Sequence, residues 1–251
     1  MSSPDLPGAV GITALRVYDW DAADGLCGGS PHVHLCCTEC YIVAGGSGRL
    51  QTLTASGAAE QPLHPGDVVW FTPGTVHRAV NDGDLQVIVL MQNSGLPEAG
   101  DAVLTFPPAH LVDRETYERA VAAPARVRRD LAVEGFLELR GRTEAGDTGA
   151  LERFYAAAAA LTHPQLAAWR ERWRHGAAAA AARTGREIDA LTAGDHSHLR
   201  AAAVARVEPP PQTTLGMCGY LAPYQAASAA PVVPPPAQQH DQRRQQPEQH
   251  H

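Results

Sequence analysis

The chain contains no lysine, and all 20 of its basic residues are arginines. A Schiff base with a substrate requires a lysine amine, and so does the phosphate-binding loop of nucleotide hydrolases. The sequence therefore excludes both mechanisms.

Positive charge is scarce in the first 100 residues, which hold three arginines against ten aspartates and glutamates in a chain of net charge -7. The remaining residues hold seventeen charges of each sign, so the acidic excess belongs to the N-terminal part. Because an acidic surface repels phosphate backbones, we expect no nucleic-acid partner.

Long apolar runs and disulfide-forming cysteines are also lacking. No run reaches eighteen apolar residues, and the N-terminus lacks the basic-then-apolar pattern of a signal peptide, so we expect no membrane partner. The five cysteines are an odd number and four of them crowd into residues 27–40 (Cys27, Cys36, Cys37, Cys40 and Cys218). A reducing compartment suits this distribution, and we expect a cytoplasmic protein.

Short strand candidates with turn residues between them fill residues 13–92. They are residues 13–20, 32–35, 39–44, 49–54, 67–72, 77–80 and 85–92. The segments Gly45-Gly46-Ser47-Gly48 and Asn81-Asp82-Gly83-Asp84 fit tight turns between neighbouring strands. Many short strands with regular turns predict a mainly β fold, an antiparallel β-barrel or jelly roll, over residues 1–106.

The composition changes after Pro107-Pro108. Residues 107–208 are rich in Ala, Leu, Arg and Glu and predict an α-helical C-terminal region, with helices over 113–123, 124–139, 148–162, 164–184 and 195–206. Residues 209–226 fit either a strand that returns to the β domain or a loop. Residues 227–251 consist mostly of Pro, Gln, Ala and His and predict a disordered tail.

Two histidines one residue apart, His32 and His34, lie in the second strand candidate. Side chains alternate faces along a strand, so both imidazoles point the same way. A carboxylate, Glu39, follows five residues after the second histidine, and His77 follows a Pro-Gly turn. Three imidazoles and one carboxylate can make a metal site.

The spacing of these residues resembles the two motifs of the cupin superfamily. The first motif is matched by His32-x-His34, four residues, Glu39 and then Gly46, with the germin-like gap before the glutamate. The second is matched by Gly66, Pro73-Gly74, His77 and Asn81. The resemblance implies a cupin-type jelly roll in which His32, His34, Glu39 and His77 bind one divalent metal ion.

The donor types leave the metal open among Fe, Mn, Ni, Cu and Zn. Tyr41 and Phe71 are candidates for the cavity wall, although Tyr41 fits core filling equally well. An apolar barrel interior is expected from Val43, Leu53, Val69, Phe71, Val87 and Val89. Cys36, Cys37 and Cys40 flank the ligands, and by strand parity those beside Glu39 should face away from it. They are interpreted as small buried apolar side chains, with thiolate ligation or redox sensing as the alternative. A second His-x-His pair, His196 and His198, lacks a following glutamate and is interpreted as a solvated helix start.

Three functions remain open at this point. The first is a metal-dependent oxidoreductase of dioxygenase or oxidase type, in which Glu39 is both a ligand and a proton acceptor for a small-molecule substrate. The second keeps the metal but catalyses isomerisation, cyclisation or decarboxylation. The third is a non-enzymatic cupin that binds a small ligand. In each, the helical region either caps the barrel or forms a homodimer interface.

Overall fold

One antiparallel sheet carries the N-terminal half of the molecule, and the computed structural model describes residues 6–224. The strands are β1 (Gly11–Val17), β2 (His32–His34), β3 (Glu39–Thr54), β4 (Gly57–Leu63), β5 (Val68–Phe71), β6 (Val76–Met91), β7 (Ala102–Leu104), β8 (Thr214–Leu215) and β9 (Gly219–Tyr224). Their order is β4-β3-β6-β1-β9-β8, while β2 pairs with β6 and β7, and β5 with β3. The predicted antiparallel jelly roll followed by helices is confirmed, although the hydrogen-bonded path through the described strands does not close into a barrel.

Two long strands replace four of the short ones predicted. β3 continues through Gly45–Gly48 and β6 through Asn81–Asp84, so the turns predicted there are wrong. The two segments lie opposite each other, and β-bulges accommodate them between Val43 and Gly48. A Cβ atom on Gly46 would approach the carbonyl oxygen of Asp84 to 2.1 Å, so only glycine fits that position.

The side chain of Asn81 allows β6 to continue through a segment whose sequence is typical of a turn. Its side-chain oxygen accepts hydrogen bonds from the backbone N–H groups of Gly83 and Leu85, both at 3.0 Å. Its amide donates to the carbonyl of Val17 at 3.0 Å. The side chain thus satisfies backbone groups that the bulge removes from the ladder.

The bulges also change which side chains of β3 face inward. Before them, Tyr41 and Val43 point into the sheet interior, and after them Leu50 does so. Leu53 was predicted to line the interior but packs in the other apolar cluster, on the outer face. An extra residue in one strand reverses the alternation, and the sequence pattern alone could not reveal that shift.

The helical region follows β7. Its helices are α1 (Arg114–Val121), α2 (Ala125–Glu144), α3 (Ala150–Thr162), α4 (Leu166–Trp173) and α5 (Ala179–Thr192). A π-helical turn over Arg174–Ala178 joins the last two. The helix predicted over 195–206 is only a short 3₁₀ segment, Ser197–Ala201, because its exposed side chains provide no packing to support more. Within residues 6–224, no helix is both long and apolar enough to span a bilayer.

The helices pack against the outer face of the strands that carry the candidate ligands. Val33 lies between His32 and His34 on β2 and therefore points to the opposite face, as Val76 does beside His77. Both valines belong to an apolar cluster with Leu53, Val103 and side chains of α2 and α3 (Ala132, Phe136, Leu139, Phe154, Ala158 and Leu161). The helical region therefore supports the ligand strands from behind.

The segment for which a return strand or a loop was predicted contains β9. This strand pairs antiparallel with β1, from Ile12 opposite Tyr224 to Val17 opposite Gly219. It brings Cys218 into the interior cluster. The tail predicted to be disordered, residues 227–251, lies outside the described residues.

Candidate metal centre

Three strands bring the four predicted ligands to one point inside the sheet. His32 and His34 lie on β2, Glu39 is the first residue of β3, and His77 lies on β6 directly opposite His32. One possible ligand atom from each residue lies within 4.8 Å of those from the other three. All four residues are buried, with exposed fractions of 4% or less.

Each histidine ring has its Nδ1 atom tied to an oxygen. The Nδ1 atoms of His32 and His77 lie 3.0 Å from the backbone carbonyl oxygens of Ser30 and Thr75, respectively. Nδ1 of His34 lies 3.0 Å from a carboxylate oxygen of Asp101. A backbone carbonyl can only accept a hydrogen bond, so Nδ1 of His32 and His77 carries the proton and Nε2 keeps its lone pair.

Two of the Nε2 atoms lie close to the Glu39 carboxylate. Those of His34 and His77 both lie 3.1 Å from Oε2 of Glu39. Among the described residues, Oε2 of Glu39 and Nε2 of His77 are buried without a partner in hydrogen-bond geometry. The Nε2 lone pair of His77 and the Glu39 carboxylate face one another in a buried space, which is unfavourable unless a cation lies between them, so the donor set fits a divalent metal ion.

The pKa values of two of the four residues, His32 and Glu39, favour the protonation state that a metal ligand needs. Burial and the neighbouring His77 and His34 rings hold the pKa of His32 well below its usual range. Burial would raise the pKa of Glu39, but the adjacent His34 and His77 rings hold it well below its usual range. Burial also opposes protonation of His34, yet contacts with Asp101 and Glu39 outweigh it and raise its pKa to about 9. Binding of a metal to the metal-free protein therefore requires His34 to release a proton.

Tyr41 and Phe71, the predicted cavity residues, lie beside the cluster. The Phe71 ring centroid is 4.2 Å from that of His77 and 5.3 Å from that of Tyr41. Tyr41 is fully buried, and within the described part of the chain its hydroxyl has no partner in hydrogen-bond geometry. Burial, Glu39 and Cys218 raise the pKa of Tyr41, so it remains a neutral phenol.

The cysteines do not join the ligand group. Cys37 is buried in a small apolar cluster with Leu96 and Trp169, while Cys36 is exposed and Cys40 half-buried. None of them is among the four residues whose ligand atoms converge. Burial and Asp101 raise the pKa of Cys37, which disfavours its thiolate.

Asp101 is a charged side chain that contacts a predicted ligand and that the sequence did not reveal. It is fully buried and lies just before β7, the strand that pairs with β2 and places Ala102 opposite His34. The two residues are far apart in the chain, and no motif spacing connects them. Only the strand pairing shows that this carboxylate reaches a ligand.

A cavity of about 410 Å³ lies between the sheet and the helices, and none of the four predicted ligands lines it. Its walls include Leu35 and Cys36, which directly follow His34, and Pro73 and Gly74, which precede His77. Helices α3 and α4 supply the opposite wall (Tyr155, Ala159, Thr162, Leu166 and Trp169). The helical region thus shapes the space next to two of the ligand segments.

Part of the β domain is similar to a known protein family. The family model described as "Cupin domain" matches residues 21–92. No curated protein matches the chain.

Several solved structures resemble part of the chain. The capsular polysaccharide assembling protein CapF from Staphylococcus aureus is 20% identical, over 36% of this chain and 25% of its own, with a TM-score of 0.26. A conserved protein with a double-stranded beta-helix domain from Klebsiella pneumoniae is 18% identical, over 38% of this chain and 69% of its own, with a TM-score of 0.28. A Cupin 2 conserved barrel domain protein from Salinispora arenicola is 25% identical, over 33% of this chain and 76% of its own, with a TM-score of 0.22. The match thus spans only a quarter of the CapF chain.

Proposed function

Because residues 21–92 match the cupin domain model and four predicted ligands converge there, we propose that the chain is a metal-dependent cupin enzyme acting on a small organic molecule. The reaction we assign is an oxidation of dioxygenase or oxidase type. His32, His34, Glu39 and His77 would hold one divalent ion.

The orientation of the three imidazoles is the observation that supports this proposal. Every ring has its Nδ1 atom 3.0 Å from an oxygen acceptor. The Nε2 atoms of His34 and His77 both approach the same oxygen of Glu39. Histidines that serve only as core side chains have no reason to gather their ring nitrogens around one buried carboxylate, whereas metal ligands require such a common point.

A redox-active ion held there would polarise a substrate oxygen and exchange electrons with dioxygen. The residues of the chain have their own roles. Because its pKa is held low, Glu39 remains ionised. This suits it to bind a metal ion and makes it a weak base. It can still receive a proton from a substrate hydroxyl when that group has been made more acidic. Tyr41, a neutral buried phenol, offers a hydrogen-bond donor on the same side of the sheet.

The interior around the ligands favours an uncharged aromatic or aliphatic substrate. Phe71 and Met91 pair with Glu39 across the neighbouring strands, and Val69 and Val89 flank Tyr41. These side chains belong to one apolar cluster. Burial of a charged substrate group among them would be costly unless it bound the metal.

Dioxygen uptake tests the reaction type. The protein, loaded in turn with Fe²⁺, Mn²⁺, Ni²⁺ or Cu²⁺, is mixed with a panel of phenolic substrates in an oxygen-electrode cell. We expect uptake with at least one metal and none with the His34→Ala variant under the same conditions. No uptake with any redox metal would contradict the oxidase assignment, and retention of zinc alone would favour isomerisation, cyclisation or decarboxylation.

A further inference from the structure

Asp101 contacts the ligand segment of β2 at three points. Its Oδ2 atom lies 3.0 Å from Nδ1 of His34, and its Oδ1 atom accepts a hydrogen bond from the Cys36 N–H at 2.6 Å. Its backbone carbonyl accepts from the Leu35 N–H at 3.3 Å. Asp101 is fully buried and His34 is 4% exposed, so the contact between their side chains is shielded from water.

His34 differs in this respect from the other two histidines. The Nδ1 partners of His32 and His77 are backbone carbonyls two residues earlier in the chain, those of Ser30 and Thr75. Those contacts follow from the local backbone and do not depend on any side chain. The ring of His34 depends on one particular side chain, which comes from a distant part of the sequence.

We propose that Asp101 is a positioning residue that fixes the proton of His34 on Nδ1 and directs the Nε2 lone pair at the metal. A carboxylate can only accept hydrogen bonds, so the ring nitrogen that faces it must carry a proton. The inference rests on the proposed metal function, because the tautomer matters only if Nε2 has an ion to bind. The Oδ1 atom of Asp101 accepts a hydrogen bond from the Cys36 N–H, and this bond keeps the carboxylate from rotating away from His34.

The Asp101→Asn variant tests this role with little change of shape. Its side-chain oxygen can still accept from the Cys36 N–H, but its NH₂ group would face Nδ1 of His34. Nδ1 would then accept, and the proton would move to Nε2, where it blocks the metal. We expect the affinity for Zn²⁺, measured by competition with a chromophoric chelator, to fall by about 10- to 100-fold.

The Asp101→Ala variant separates positioning from folding. It removes the acceptor for Cys36 as well, so we expect it to lower the unfolding midpoint of the metal-free protein, whereas Asp101→Asn leaves that midpoint nearly unchanged. Both should bind Zn²⁺ weakly. If Asp101→Asn binds Zn²⁺ as the wild type does, Asp101 is only structural and the inference is wrong.

A spectroscopic measurement on the wild type keeps the inference testable if the variants fold poorly. In the Zn²⁺-loaded protein, ¹⁵N-edited NMR should show a proton on Nδ1 of His34 and none on Nε2. A proton on Nε2 would overturn the assignment. If the wild type binds neither Zn²⁺ nor any other divalent ion, the proposed function fails, and this outcome is distinct from a wild type that binds metal and an asparagine variant that binds it equally well.

Discussion

The hydroxyl of Tyr155, on helix α3, donates a hydrogen bond to the carbonyl oxygen of Gly74 at 2.6 Å. Gly74 lies in the turn before His77, and its own N–H donates to the carbonyl of His34 at 2.9 Å. The helical region is thus hydrogen-bonded to the turn between β5 and β6, which precedes His77 and contacts His34. We therefore expect the helices to help hold the candidate metal centre.

The Tyr155→Phe variant should weaken the centre slightly. Loss of one hydrogen bond should lower the free energy of unfolding by about 1 kcal/mol, and a looser turn should reduce the Zn²⁺ affinity a few-fold. Urea denaturation and chelator competition measure the two effects. Tyr18→Phe is the matched control, because it also loses a tyrosine bond to a glycine carbonyl, that of Gly216. An equal loss of Zn²⁺ affinity in both variants would argue against a specific role for Tyr155.

Substitution of Leu53 tests how the outer face of the ligand strands packs against the helices. Because it is fully buried against the helical cluster, Leu53→Ala should cost about 2–5 kcal/mol of unfolding free energy and leave the metal content unchanged. The control is Leu137→Ala, a leucine of α2 that is 38% exposed and should cost much less. Loss of metal in Leu53→Ala without loss of stability would mean that the side chain faces the centre after all.

Deletion of the chain from residue 113 onward should make the β domain aggregate. It would uncover the valines at positions 33, 76 and 103, which now pack against helices. It would also remove β9 and leave an edge of β1 open for pairing with other chains. Size-exclusion chromatography would show large species in place of a defined peak. A soluble, metal-binding fragment would show that the helices are dispensable for folding.

Much of the centre was predictable from the sequence because its ligands are local in the chain. His32, His34 and Glu39 lie within eight residues, and strand parity places the two histidines on one face. The glycine and proline residues before His77 supplied the second half of the pattern. The structure brings all four residues together as predicted, and their binding of a metal remains a prediction.

Features that depend on long-range strand pairing or on irregular strands could not be predicted from the sequence. Asp101 reaches His34 only through the pairing of β7 with β2, which no local pattern encodes. Leu53 was assigned to the wrong face because bulges in β3 reverse the side-chain alternation. The turns predicted at Gly45–Gly48 and Asn81–Asp84 failed for the same reason, since glycine-rich residues serve a bulge as well as a hairpin. The substrate, a homodimer and a cytoplasmic location remain predictions.

Metal content measured on protein purified without added metal tests the central claim most directly. The wild type, His34→Ala, His77→Ala and the control His64→Ala would be compared by elemental analysis, His64 being an exposed histidine outside the cluster. We predict about one divalent ion per chain in the wild type and in His64→Ala, and a loss of most of it in the two ligand variants. Metal absent from the wild type, or equal in all four proteins, would contradict the metal centre.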